Sequence, residues 1–142
     1  MSRPSVAYEI LEHPADVGFR AFGPTLEALF ENAALALASL MADPETVVER
    51  DSRALTATGT DLESLLYDWL SVILAIADAE RWVFRRFRVE HLEPGRVTGI
   101  GYGEPLDKTR HHLGTYIKAV TLHQFRVEQT PTGWSAQVYL DV

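Results

Sequence analysis

Three carboxylates are the groups whose type and spacing could do chemistry. The chain closes on Leu140-Asp141-Val142, at the end of a strand-like run from Trp134, so a side-chain carboxylate adjoins the main-chain carboxylate expected at Val142. A second acidic element, His13-Pro-Ala-Asp16-Val-Gly18, lies near the other end of the sequence. A fold that brings Asp16 to the chain end makes three carboxylates converge. Carboxylates that close repel one another unless a cation or a shared proton sits among them, and hard oxygen donors suit Ca²⁺ or Mg²⁺. The plainer reading is a polar strand end plus a turn aspartate, because Asp is a common turn residue.

Lys118 is the next candidate. Within Ile117-Lys-Ala-Val-Thr-Leu-His123 it falls in phase with Val120 and Leu122. A lysine so placed either snorkels at a sheet edge or pairs with an acid, for which Asp16, Glu104, Asp107 and Asp141 are available. His111-His112 could ligate a metal, but adjacent histidines on a strand point to opposite sides, and a loop pair with no Cys or further His is expected in solvent. Gly99, Gly101 and Gly103 precede no helix. Strand bulges or close backbone contacts therefore explain them better than a dinucleotide loop. No Ser-His-Asp set is recognisable by spacing, and no zinc-protease helix motif occurs.

Composition narrows the class. The chain has 142 residues, expected to form a single domain over 1–142. Hydrophobic residues make up 46% and charged ones 23%, which is the composition of a soluble globular protein rather than a disordered one. A formal net charge of −7 argues against a broad phosphate-binding surface, so strong direct nucleic-acid binding is not expected. The one basic cluster, Arg81 with Arg85, Arg86 and Arg88, is interleaved with apolar residues and reads as the wet side of a strand. The absence of cysteine removes disulfides, Cys-type zinc sites and thiol nucleophiles together. No run approaches the roughly 18 apolar residues of a membrane helix and no signal-like segment opens the chain, so the default expectation is a cytoplasmic protein.

These groups need elements to position them. Tyr8–Leu11 and Val17–Phe22 read as strands. Thr25 then caps a helix, with Glu27 in its first turn and Leu26, Phe30, Ala33, Leu37 and Leu40 as its apolar stripe, up to Asp43-Pro44. Thr46–Thr58 is a strand candidate. Thr60-Asp-Leu-Glu63 reads as a capping box, opening a second helix whose stripe is Leu62, Leu65, Leu66, Trp69, Leu70, Ile73 and Ile76. That stripe should be core, with Trp134, Val138 and Leu140 beneath it. From Trp82 the period changes to two, and Glu93-Pro-Gly-Arg96 is a hairpin turn leading to Val97–Glu104. Leu106–Thr115 is turn-rich, Ile117–Glu128 a long strand, Thr130-Pro-Thr-Gly133 a second hairpin turn and Trp134–Val142 the last strand. The order strand-strand-helix-strand-helix followed by four strands gives an α+β fold, two helices covering one face of a mostly antiparallel sheet.

The ordered motifs resemble the archease family. His13-Pro-Ala-Asp-Val-Gly18 is similar to that family's His-Thr-Ala-Asp-Val-Gly signature, with Pro14 replacing the usual Thr and its hydroxyl. It is followed by the Thr25–Ala34 helix, the Leu62–Leu70 helix, Gly103-Glu-Pro-Leu-Asp107, Ile117-Lys-Ala-Val-Thr121 with His123, and the closing Asp141-Val142. The resemblance implies a compact strand-helix-strand-strand module with a related module inserted. It implies a non-enzymatic accessory factor of the RtcB-type RNA ligase of tRNA splicing, promoting guanylylation of a ligase histidine by GTP. It places a divalent cation, calcium with magnesium or manganese as alternatives, on Asp16, Asp141 and Val142, and partner activation on Lys118 with His13 on the same surface. A chaperone or specificity factor for an RNA methyltransferase is a second role implied by the family. A small metal-dependent phosphohydrolase using the same carboxylates is a third reading, from another class, for which no base or nucleophile can be placed.

Overall fold

The two helices start where side chains satisfy their first amides. In the computed structural model, which describes residues 6–12 and 17–142, the Ala28 amide donates to Thr25 Oγ1 at 3.1 Å and opens α1, Leu26–Met41. The second helix, α2, spans Leu62–Ala79, and its capping box is shifted one residue from the expected one. Asp61, not Thr60, is the cap: its carboxylate accepts from the Ser64 amide at 2.8 Å while Ser64 Oγ accepts from the Asp61 amide at 3.1 Å. The shorter serine side chain takes the place that Glu63 was expected to fill.

Among the described residues eight strands accompany the helices: β1 Tyr8–Glu12, β2 Val17–Gly23, β3 Asp51–Thr58, β4 Trp82–Glu93, β5 Arg96–Pro105, β6 Ala119–Val120, β7 Arg126–Thr130 and β8 Gly133–Asp141. All pair antiparallel, in two sheets rather than one. The first runs β1-β2-β8, with β6 and β7 both pairing β8 on its other side; the second is β3-β5-β4. Helix carboxylates cap amides of the strands at the sheet margins: Glu31 takes the Val89 amide at 2.8 Å, Asp68 that of Thr58 at 2.9 Å and Glu63 that of Val127 at 3.2 Å. An amide already satisfied by a carboxylate offers no ladder bond to another strand.

Two strand candidates differ from the sequence expectation. The Thr46–Thr58 strand shortens to β3, because Asp43 caps a 3₁₀ turn at Pro44–Thr46. The Ile117–Glu128 strand is split into β6 and β7. Val120 pairs with Leu140 and Arg126 with Gln137, so the stretch between must bulge outward, and Gln124 takes φ +51° there. The Pro94-Gly95 turn forms as expected, with Gly95 at φ +89°, a value glycine adopts freely.

One apolar core runs through both sheets. Phe30, Ala33 and Leu37 of α1 and Leu65, Leu66, Trp69, Leu70 and Ile73 of α2 are buried, and the Trp69 indole donates to the Phe30 carbonyl at 3.1 Å. The strand beneath α2 is β3; β2 and β8 lie under α1 instead. Val138 and Leu140 therefore share a core with Trp69 without forming its floor, and Trp134 is only half-buried. No helix among the described residues is long and apolar enough to cross a membrane.

Candidate functional site

The end of β8 is where Lys118 and Asp141 come together. On one side Leu140 pairs with Val17, the residue that directly follows Asp16 in sequence; on the other it pairs with Val120. Asp141 pairs with Ala119, and the Lys118 amide donates to the Asp141 carbonyl at 2.8 Å. β8 is buried continuously from Ala136 to Leu140, the last at 1% exposure, and emerges into solvent at Asp141 and Val142. Asp16 and His13 lie outside the described residues.

Lys118 is placed differently from the expectation. Ile117 and Val120 are buried while Lys118 and Ala119 are exposed, so the spacing of the buried pair is three, not two. Leu122, expected to share a face with Val120, is 68% exposed because it sits on the bulge between β6 and β7. The Thr121 hydroxyl ties that bulge to the Tyr139 carbonyl at 3.0 Å. Neither Lys118 nor Asp141 forms a side-chain ion pair among the described residues, so the carboxylate and the ammonium are both uncommitted. The Asp141 carboxylate supplies hard oxygen donors of the kind that suit a calcium- or magnesium-type ion. Among the described residues no group of three His, Asp or Glu side chains gathers around a metal-sized space.

A second polar cluster escaped the sequence reading. Glu104, at the end of β5, is fully buried. Arg110 binds it with two parallel hydrogen bonds of 2.7 and 2.8 Å, Arg50 approaches at 3.0 Å, and the Val48 amide donates at 2.7 Å. His111, expected in solvent, is 3% exposed. The Asp107 amide donates to its Nδ1 at 2.9 Å, so the ring proton sits on Nε2 and donates to Glu104 at 2.8 Å. Both ring nitrogens are thus occupied, which removes His111 as a metal ligand, while His112 stays exposed. The Arg110 guanidinium, then the His111 ring and the Val48 amide, hold the Glu104 carboxyl well below the usual carboxylate range against the opposing effect of burial. The available signal was a glutamate between Gly103 and Pro105 with Arg110 and His111 close behind it.

Three of the four arginines of the basic cluster are paired where they stand. Arg86 makes two 3.0 Å bonds to Glu49 and stacks 4.0 Å over the Tyr102 ring, and Arg88 pairs with Glu90 at 3.1 Å. Arg85 reaches Glu45 at 3.6 Å. This is the wet side of β4, as expected, rather than an anion-binding patch.

A two-helix antiparallel α+β domain with lysine and aspartate tied together at the end of its central strand defines the class. The chain belongs to the archease family. The model of the Archease protein family (MTH1598/TM1083) matches residues 8–142. Protein archease of Methanosarcina mazei is 43% identical over 139 residues, 95% of each chain, and that of Pyrococcus abyssi 39% identical over 139 residues, 95% of this chain and 98% of its own. The solution structure of Methanobacterium thermoautotrophicum protein 1598 superposes with a TM-score of 0.80 at 35% identity, covering 96% of this chain and 99% of that one. A crystal structure from Thermotoga maritima, described as an archease and possible chaperone, shares the fold with a TM-score of 0.67 at 20% identity, over 93% and 94% of the two chains.

Proposed function

We propose that this chain activates an RtcB-type RNA ligase without catalysing a reaction itself, promoting ligase guanylylation and repeated turnover in tRNA splicing and RNA repair. The observation that carries this reading is the main-chain bond from the Lys118 amide to the Asp141 carbonyl, which sets these two residues on neighbouring segments at an exposed strand end. Asp16, Asp141 and the chain-end carboxylate of Val142 would hold a divalent cation, calcium first. When bound, the cation supplies a compact positive charge of the kind that dominates phosphoryl chemistry. The chain's own part is positional. Strand pairing fixes Asp141 through Ala119 and fixes its neighbour Leu140 from both sides, and the Lys118 ammonium is available to meet a phosphate or a carboxylate of the partner. His13 is assigned to the same surface. A net charge of −7 suits a protein that acts on a ligase rather than on RNA.

Single-turnover guanylylation of an RtcB-type ligase by GTP, with and without the chain, tests the reading. Faster guanylylation and multiple turnovers are expected. An unchanged rate beside improved solubility of an RNA methyltransferase would favour the chaperone reading, and hydrolysis of a phosphomonoester by the chain alone would favour the hydrolase reading.

A further inference from the structure

The segment from Leu106 to Lys118 is fastened along its length. Glu104 holds Arg110 and His111 near its start. Further on, the Gly114 and Thr115 amides donate to the Met41 and Leu40 carbonyls at 2.9 and 2.8 Å, satisfying carbonyls that the end of α1 leaves open. A side chain at Gly114 would strike the Leu40 carbonyl, so glycine is needed for this approach. Lys118 then closes on Asp141. On a backbone tied this firmly, Leu113 remains 48% and Tyr116 68% exposed. Apolar side chains on an ordered backbone lose little further freedom when a partner covers them, which is how preorganised contact points work, and tyrosine is enriched among them.

A groove in two connected parts runs under this segment. One part, of about 260 Å³, is lined by Arg81, Trp82 and Leu113 among others; the second, of about 220 Å³, includes Lys118. Both share Asp78 and Tyr116. Trp82 is 3% exposed, and its indole N–H has no acceptor among the described residues. Arg81 and Lys118, one in each part, form no ion pair among the described residues, nor does Asp78 between them. Arg81 thus stands in one part and Lys118 in the other, with Asp78 lining both, on a chain of net charge −7.

We propose that this groove is the docking site for an extended segment of the partner protein, carrying an apolar side chain flanked by carboxylates. The apolar side chain packs under Tyr116, a backbone carbonyl accepts from Trp82 after a side-chain adjustment of the kind common at interfaces, and the carboxylates meet Arg81 and Lys118. The proposal rests on the ligase-activator reading, in that the partner is the ligase.

The test measures affinity of the full chain for an RtcB-type ligase, with the indole N–H resonance of Trp82, assigned through Trp82→Phe, as a local reporter. Leu113→Ser with Tyr116→Ser, and separately Arg81→Glu, should each weaken binding roughly tenfold or more with an unchanged melting temperature, and the Trp82 resonance should shift on binding to the wild type. Undiminished affinity in folded variants, or a Trp82 resonance that stays put at saturation, overturns the docking face while leaving the activator reading intact. A wild type that neither binds nor activates the ligase sinks the activator reading and this face with it. Self-association of the chain, lost in the double variant, would assign the groove to a second copy and overturn the proposal.

Discussion

The Lys118 amide and the Asp141 carbonyl are joined at 2.8 Å, at the point where β6 begins and β8 ends. Ala119 stands opposite Asp141, and Leu140 is bound into ladders on both of its sides. A lysine and an aspartate far apart in sequence are thereby placed on adjacent strands whose main chains cannot separate without breaking sheet bonds. The side chains above that frame form no ion pair among the described residues.

Calcium, magnesium and manganese titrated against melting temperature test the proposed cation site at Asp141. Binding at a hundredfold excess over Kd should add about 2.7 kcal/mol of stability by mass action. Asp141→Ala should abolish that gain while leaving the metal-free melting temperature almost unchanged, since Asp141 is exposed. A peptide fused after Val142 should weaken the effect by converting a carboxylate into an amide.

Lys118→Ala should fold normally and fail to activate the ligase. The side chain is exposed, so its removal deprives the core of nothing. Lys118→Arg should rescue poorly, because a compact ammonium and a planar guanidinium fit different sites. Melting temperature and guanylylation rate are read on the same preparation; full activation by a stable Lys118→Ala protein would reject the assignment.

Trp69→Ala should lower stability by about 3–5 kcal/mol. The indole is fully buried and also satisfies the Phe30 carbonyl across the helix pair. A urea midpoint equal to that of the wild type would contradict this packing.

Glu104→Gln should destabilise the chain and change its acid response. Arg50 and Arg110 are 65% and 38% exposed and can turn to water, but His111 and the Val48 amide would be left with a poorer acceptor, for a loss of about 2–4 kcal/mol. The wild-type carboxyl has its pKa lowered by folding, so its stabilisation is complete above the unfolded value of about 4.3 and fades as pH falls below it toward the depressed folded value. Urea midpoints from neutral pH down into the acid range should therefore fall in the wild type and fall less in Glu104→Gln.

Local physics was legible in the sequence. Thr25 had to cap a helix, the Leu65–Ile73 stripe had to be buried, and Pro94-Gly95 had to turn, because caps, helical periodicity and turn geometry depend on neighbours a few residues away. The family signature, too, was a matter of ordered short motifs, and it pointed to Lys118 and Asp141 before any strand was placed.

What only the tertiary structure decided was pairing. No periodicity says that β8 takes β2 on one flank and both β6 and β7 on the other, or that this forces a bulge that turns Leu122 outward. Nor could sequence show that Glu104 is buried, since a carboxylate can leave water only where Arg110, Arg50, His111 and the Val48 amide converge on it from separate segments. His111 was misjudged for the same reason: its environment is set by a partner on a strand end, and partnership across the fold is a property of three dimensions.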